Sequence, residues 1–287
     1  MSIHAGSKEL KKGHFTMADE QELKTAIRNT FNIVAGGYDN PSFRFFTISA
    51  EHMIACLELN GDEHLLDVAT GTGIVALQLA PLLTRGRVAA IDFSEGMLAQ
   101  ARMKAEARAV GNVDFLEMDM QALRFPDGHF DAATCAFGIF FVEDMESQLR
   151  HISDKVKAGG KIILSTFYDD SFVPLIELFY NCIQRYGVDI PVPTWKRIST
   201  ADKCASLLES AGLSEIQVVK KDIGYYLRNP DEWWDVIWNG GFRRYLNGLS
   251  TRDLAEFRKE HHAEVGKAAT ENGIWLDVKV LYAVGTK

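Results

Sequence analysis

No stretch of the sequence approaches the roughly 20 consecutive apolar residues that a bilayer-spanning helix requires. The N-terminus, MSIHAGSKELKKGHF, also lacks the apolar segment of a secretory signal. A cytoplasmic protein with no membrane span is the expectation. Positive charge is in deficit too, since 31 Lys and Arg stand against 39 Asp and Glu, giving a net charge of -8. Nucleic acids are gripped by clustered cations, and the densest basic runs here are pairs such as Lys220–Lys221 and Arg243–Arg244. No nucleic-acid partner is therefore expected. The four cysteines, Cys56, Cys135, Cys182 and Cys204, are too scattered for a zinc site and too few for a disulfide scaffold; they read as buried thiols. His261 and His262 point about 100° apart on a helix and have no third ligand at a telling distance. No metal is expected, and the pair reads as a solvated helix face. Repeats and low-complexity tracts are absent.

What is present is enough apolar sequence, 47% of 287 residues, to bury a sizeable core. After a polar stretch to about Thr16, ADEQELKTAIRNTFNIVAG sets Leu23, Ile27, Phe31 and Val34 at helical spacing. A second helix is expected from Phe43 to Leu59. Short apolar runs then alternate with helical periods, with strands expected at His64–Val68, Arg87–Ile91, Val113–Glu117, Phe130–Ala136 and Lys161–Thr166. Crossovers long enough to be helical imply a parallel sheet covered on both faces. The fold class is thus α/β, a doubly wound, mostly parallel sheet. Further on, LSEIQVVKKDIGYYL and IWLDVKVLYAVGTK each read as one strand, pairing at a sheet edge with 230–270 as a helical insertion between them. The expected organisation is an N-terminal helical segment (1–60), a core (61–170), a helical insertion (171–200) and a C-terminal part of the core (201–287) that carries the second insertion, with the N-terminal helices and the insertions forming a lid over the crevice.

The stretch HLLDVATGTGIVALQLA, His64 to Ala80, carries the chemistry. A strand feeding a Gly-rich turn and then a helix opens a crevice at the carboxyl end of the sheet. G-x-G-x-x-A alone also suits nicotinamide or flavin folds. Asp67 argues against them, because an acid at the strand end repels a pyrophosphate and suits an ammonium group. Asp92 closes the second strand, placed to accept from two ribose hydroxyls. Asp119 follows the third strand in FLEMDM, where Asp and Met can flank an adenine edge and face. A ribose, an adenine and a cationic amino acid without phosphates describe S-adenosylmethionine.

LLDVATGTG, AAIDFSEGML, VDFLEMDMQALRFPDGHFDAATCAFGI and KAGGKIILSTF together resemble the successive motifs of class I S-adenosylmethionine-dependent methyltransferases. The nearest likeness is to the ubiquinone/menaquinone C-methyltransferase group, over residues 23–167. The resemblance implies a seven-stranded sheet whose last strand is antiparallel. It implies that Ala69, Gly71, Thr72 and Gly73 line the methionine part of the cofactor and that Asp92 binds its ribose. By the same resemblance Phe93 and Met97 pack on the adenine, Asp119 and Met120 hold its other edge, and Ala136 and Phe137 lie beneath the sulfonium. Tyr38, ending FNIVAGGYD, matches a family tyrosine over the cofactor mouth. Bland roles stay open for Asp67 (a strand-end cap), Met97 (core packing) and Tyr38 (a surface staple).

The expected function is methyl transfer to a small, largely apolar or aromatic acceptor. After AFGI the quinone enzymes carry Arg-Asn where this chain has Phe140–Phe141, which cannot bond a quinol oxygen. The aromatics expected to wall the acceptor are Phe31, Phe140, Phe141, Tyr168, Phe172, Trp195, Trp234 and Trp238, with Trp233 and Phe242 beside them. A sulfonium is an activated donor, so alignment and exclusion of water are the main requirements; no catalytic base is assigned. A nicotinamide-dependent oxidoreductase and a noncatalytic cofactor-binding protein are the alternatives.

Overall fold

The computed structural model describes residues 17–287, so the polar stretch to Thr16 lies outside the described residues. The chain opens with α1 (Met17–Val34) and α2 (Arg44–Ile54). It then alternates β1 (His64–Val68), α3 (Ile74–Leu79), β2 (Arg87–Asp92), α4 (Glu95–Ala107), β3 (Val113–Glu117), β4 (Phe130–Ala136), α5 (Met145–Lys155) and β5 (Val156–Phe167). The five strands are parallel and lie in the order β3-β2-β1-β4-β5. Leu65, Leu66 and Val68 of β1 are buried on both faces, as a central parallel strand requires. Local chemistry sets the helix starts: the Ser94 hydroxyl accepts from the Met97 amide at the head of α4, and the Asp144 carboxylate from the Ser147 amide at the head of α5. α3 stops at Leu79, because Pro81 converts its end into a 3-10 turn.

The remaining helices are α6 (Leu175–Gln184), α7 (Ala201–Ser210), α8 (Pro230–Asn239), α9 (Arg243–Leu246) and α10 (Thr251–Gly266). The two late apolar runs each split. The first gives β6 (Ser214–Asp222) and β7 (Tyr225–Leu227), and the second β8 (Ile274–Leu276) and β9 (Lys279–Thr286). β9 inserts between β5 and β6, antiparallel to both, and completes a seven-stranded sheet. β7 and β8 peel away as a two-stranded ribbon. The break falls at Gly224, where a Cβ would meet the Trp275 ring at 2.6 Å and the Leu276 carbonyl at 2.8 Å. The insertion between β7 and β8 consists of α8, α9 and α10, with α10 packed on α6 and α8.

The cysteine reading holds for Cys135, Cys182 and Cys204, whereas Cys56 is half-buried. The histidine reading needs correction. His262 faces solvent and Asp231, but His261 is 1% exposed, stacks on Phe257 with ring centroids 5.5 Å apart, and accepts a 2.9 Å hydrogen bond from Trp233 Nε1. Among the described residues no cluster of ligands suits a metal. Burial lowers the His261 pKa from 6.5 to about 4. The unfolded chain therefore takes up a proton as pH falls below about 6.5 while the folded chain resists until about 4, and stability drains across that window. Between pH 7 and pH 4, His261→Gln is expected to gain on the parent by about 3 kcal/mol. Denaturant unfolding of both proteins at each pH checks this; parallel pH dependences would show that His261 does not titrate as a buried neutral imidazole.

Candidate active site

Just past β1 and β4 the backbone turns sharply. Ala69 has φ 55° and Phe137 φ 52°, left-handed values that side-chain-bearing residues seldom adopt and that cluster at ligand clamps. Gly71, at φ 56°, faces open space, since a Cβ there would meet nothing within 4 Å. Any side chain at this position would project into the volume a ligand needs. Gly73 serves differently. At φ 79° it precedes α3, and its Cβ would press on Phe115 at 3.0 Å and Ala101 at 3.1 Å. It seats the helix against the sheet and does not itself line the cavity, contrary to the expected methionine contact.

Two buried carboxylates hold this turn. Asp67 accepts from the hydroxyls of Thr70 (2.5 Å) and Thr134 (2.7 Å), so both of its oxygens are engaged within the protein. It borders the cavity, but the strand-end capping role is the one its contacts display. Asp92 accepts from the Gly71 and Ser94 amides, each at 2.8 Å. A carboxylate has about four lone-pair sites, so Asp92 keeps capacity for further donors at the crevice. Burial pushes both acids up to about 6.

The N-terminal segment is clipped onto this crevice by contacts that sequence reading missed. Asn32 Oδ1 accepts from Ser94 Oγ (2.6 Å) and the Gly96 amide (3.0 Å), fixing α1 to the start of α4. Asp39 accepts from Thr72 Oγ1 at 2.7 Å and pairs with Lys104 at 2.7 Å. Lys24 reaches Asp119 at 2.7 Å. The one available signal was the acid that follows Tyr38 in GGYD. The Tyr38 ring packs against both Phe43 and Phe46, with centroids 5.6 and 5.2 Å away, so it is an interior wall and no surface staple. Burial, reinforced by the charges of Asp92 and Asp39, raises its pKa and keeps the phenol neutral.

These parts converge on one cavity of about 230 Å³. Ala69, Gly71, Thr72, Asp92, Phe93, Met97, Asp119, Met120, Ala136 and Phe137 border it, as does Tyr38. Met97 serves both of its readings, being 1% exposed and packed with Val34 and Ala35. Beyond the turns the wall is aromatic. Phe137 stacks on Phe167 at 4.5 Å, Phe167 meets Phe172 at 4.8 Å and Trp195 at 6.0 Å, and Phe31 meets Phe141 at 5.5 Å. Phe140 and Phe242 complete it. Three expected members do not reach it. Tyr168 lies under Lys220 at 4.4 Å, and Trp234 and Trp238 stack on each other at 5.8 Å beneath Arg258 and Arg243. The two tryptophans occupy a face of α8 turned from the cavity, which receives Val236 instead; Trp233 likewise lies outside, bonded to His261. Phe43, Phe45, Phe46, Tyr180 and Tyr245 line the cavity without having been foreseen.

The model of the ubiE/COQ5 methyltransferase family matches residues 16–190. The chain is 29% identical over 214 residues to the ubiquinone/menaquinone biosynthesis C-methyltransferase UbiE of Proteus mirabilis, covering 71% of this chain and 82% of that one. It is 32% identical over 185 residues to the same-named protein of Cronobacter sakazakii, covering 61% and 73%. Among solved structures, the YcgJ protein of Bacillus subtilis superposes with a TM-score of 0.57 at 23% identity, covering 84% of this chain and 98% of that chain.

Asp39→Ala removes the link between the N-terminal segment and the Gly turn. The Thr72 bond is worth about 1–2 kcal/mol, and the partly exposed Lys104 pair adds little. Amides of α1 are expected to exchange roughly tenfold faster while those of Leu65–Val68 stay protected. Unaltered exchange in α1 would mean that apolar packing alone holds it.

Proposed function

The chain belongs to the ubiE/COQ5 methyltransferase family and is an S-adenosylmethionine-dependent methyltransferase, and we propose that it methylates a small, largely apolar or aromatic acceptor held among the rings beyond Phe137. The family match runs against both the oxidoreductase and the noncatalytic alternatives. The observation that carries the acceptor reading is the ring lining itself, from Phe31 and Phe141 on one side to Phe172 and Trp195 on the other. The UbiE relatives are named for ubiquinone and menaquinone biosynthesis. Phe140–Phe141 stand at the end of this cavity nearest the β4 turn and offer no hydrogen bond to a quinol oxygen, which favours a different acceptor.

The chemistry of the residues that border the crevice supports the cofactor's placement there. S-adenosylmethionine supplies a methyl group already activated on a sulfonium. Around it, Ala69, Gly71 and Thr72 would receive the methionine part, with Tyr38 over the mouth. Asp92, with lone pairs to spare, would accept from the ribose hydroxyls. Phe93 and Met97 would pack on the adenine, with Met120 at its edge, where Asp119 is already drawn to Lys24. Ala136 and Phe137 would lie beneath the sulfonium, where an aromatic face favours a cation. The N-terminal helices and the segments 172–200 and 230–270 would serve as the lid over the acceptor, and a lid there would shut out water.

Two measurements test these assignments. Raised to about 6, Asp92 is the better acceptor when ionised. In the empty protein its burial favours the protonated acid, a contribution present below pH 4 and lost as pH rises through 6; ligand binding pulls the other way, toward the carboxylate. Affinity for S-adenosylhomocysteine is therefore expected to weaken by up to tenfold per unit below about pH 6, and Asp92→Asn to bind more weakly with a flatter profile. Calorimetry from pH 5 to 8 decides; identical profiles would remove Asp92 from the ribose. For the acceptor, Phe141→Ala is expected to raise KM roughly tenfold for the best member of a panel of phenols, naphthols and indoles. Cofactor affinity should hold within a factor of two or so of the parent's, about the limit of ordinary context effects. An unchanged KM would place the acceptor elsewhere.

A further inference from the structure

At the acceptor end of the cavity, away from the Gly turn, three donor-bearing side chains meet. Arg244 and Tyr245 come from α9 and Tyr180 from α6. Arg244 Nη2 donates to the Tyr245 hydroxyl at 2.6 Å, and its guanidinium lies 4.7 Å from the Tyr245 ring. The Tyr180 and Tyr245 rings meet edge to face at 6.2 Å. The Tyr180 hydroxyl is buried and has no hydrogen-bond partner. Tyr245, 7% exposed, accepts from Arg244 and keeps its own proton to give. Arg244 has five N–H donors; only the bond to Tyr245 is made, and no carboxylate stands within 4 Å of it among the described residues.

That combination is unusual for the wall of an apolar cavity. Arg244 is the one arginine that borders the cavity among the described residues, whereas Arg197, Arg185 and Arg258, outside it, are paired with Glu143, Glu260 and Asp231, and Arg243 is laid over Trp238 and bonded to Asn247. A buried donor without an acceptor costs about 1–3 kcal/mol, and a guanidinium is the side chain best shaped to grip a planar anionic oxygen group. The cluster is rich in donors, and its own acceptors are only the two phenol oxygens, of which that of Tyr245 already accepts from Arg244.

We propose that Arg244, Tyr245 and Tyr180 bind an anionic oxygen group, a carboxylate or a phenolate, on the acceptor. The acceptor is thus an aromatic or apolar acid whose charged end is anchored at α9 while its ring lies among the phenylalanines. This rests on the acceptor reading given above and narrows it. The three residues act by binding and orientation: a fixed charged end dictates which atom of the acceptor lies toward Phe137.

The test uses the full chain saturated with S-adenosylhomocysteine and four probes: naphthalene-2-carboxylate, its methyl ester, 2-naphthol and its methyl ether. Binding is measured by calorimetry. The expected result is that one free acid outbinds its own capped partner by tenfold or more, the pair identifying carboxylate or phenol as the source. Arg244→Met should then cost that acid about 10- to 150-fold, the range of a hydrogen bond to a charged group, and leave the capped probe and S-adenosylhomocysteine unaffected. Tyr180→Phe, which deletes only a partnerless hydroxyl, should keep the melting temperature and weaken the same acid several-fold. Equal binding of acid and capped partner in both pairs would overturn the anionic site while keeping the aromatic one. Preference for a free acid that survives Arg244→Met undiminished would also overturn it. Failure of all four probes, with S-adenosylhomocysteine still bound, would remove the aromatic acceptor reading and this inference with it.

Discussion

A carboxylate shut away from water at the end of β2 governs the architecture of the crevice. Asp92 accepts from the amides of Gly71 and Ser94 and so ties the turn after β1 to the head of α4. Taking a carboxylate out of water is costly unless hydrogen bonds compensate. Here they do so in part, as the pKa of about 6 records. Asp67, one strand over, is in the same position with Thr70 and Thr134. The pair fixes a left-handed turn that a sequence of small residues could otherwise hold in several ways. A turn held this way presents its bare Gly71 face without rearrangement, and preorganisation of that kind is where binding energy is best conserved.

Because Asp92 also anchors α4, the N-terminal segment inherits its position from the same acid. Asn32 binds the Ser94–Gly96 stretch that Asp92 sets, and Asp39 binds Thr72 in the turn. Phe31 and Tyr38, carried on that segment, then meet Phe141, Phe43 and Phe46. The aromatic wall of the cavity is thus joined by polar clips to the turn after β1, so the proposed acceptor half of the site leans on the proposed cofactor half.

The central sheet was legible because its evidence is local. A strand such as His64–Val68 announces itself by a closed apolar run with turn residues after it, and its exact span was read correctly. So were Val113–Glu117 and Phe130–Ala136. The late strands were over-extended because Ile223–Gly224 and Asp277–Val278 carry no break signal beyond a glycine; the split comes from Trp275 crowding Gly224, a contact between residues 51 positions apart in sequence. That Asp67, Asp92 and Asp119 gather at one crevice was legible from their order along the chain. Which of the aromatics face inward was not. On α8 the tryptophans at 234 and 238, four apart, share a face, and composition cannot say whether that face meets the cavity or the flank of α10. The clips by Lys24, Asn32 and Asp39 were unreadable for the same reason, each being a pairing between segments that only the fold brings together.

That division has a consequence for specificity. The family match ends at residue 190 and includes the turns, the acids and Tyr180. Phe242, Arg244 and Tyr245 come later, from the insertion between β7 and β8. An element inserted between antiparallel neighbours at the sheet edge can vary in length and composition without disturbing the register of β5, β9 and β6, since those strands pair through their own backbones. The cofactor half is constrained by buried charge and left-handed backbone, which tolerate little change. The acceptor half is constrained only by the need to bury its rings and satisfy Arg244. On the proposed reading, selectivity for the acceptor resides in the segment under least structural constraint, as it does wherever a rigid scaffold carries its recognition on an inserted element.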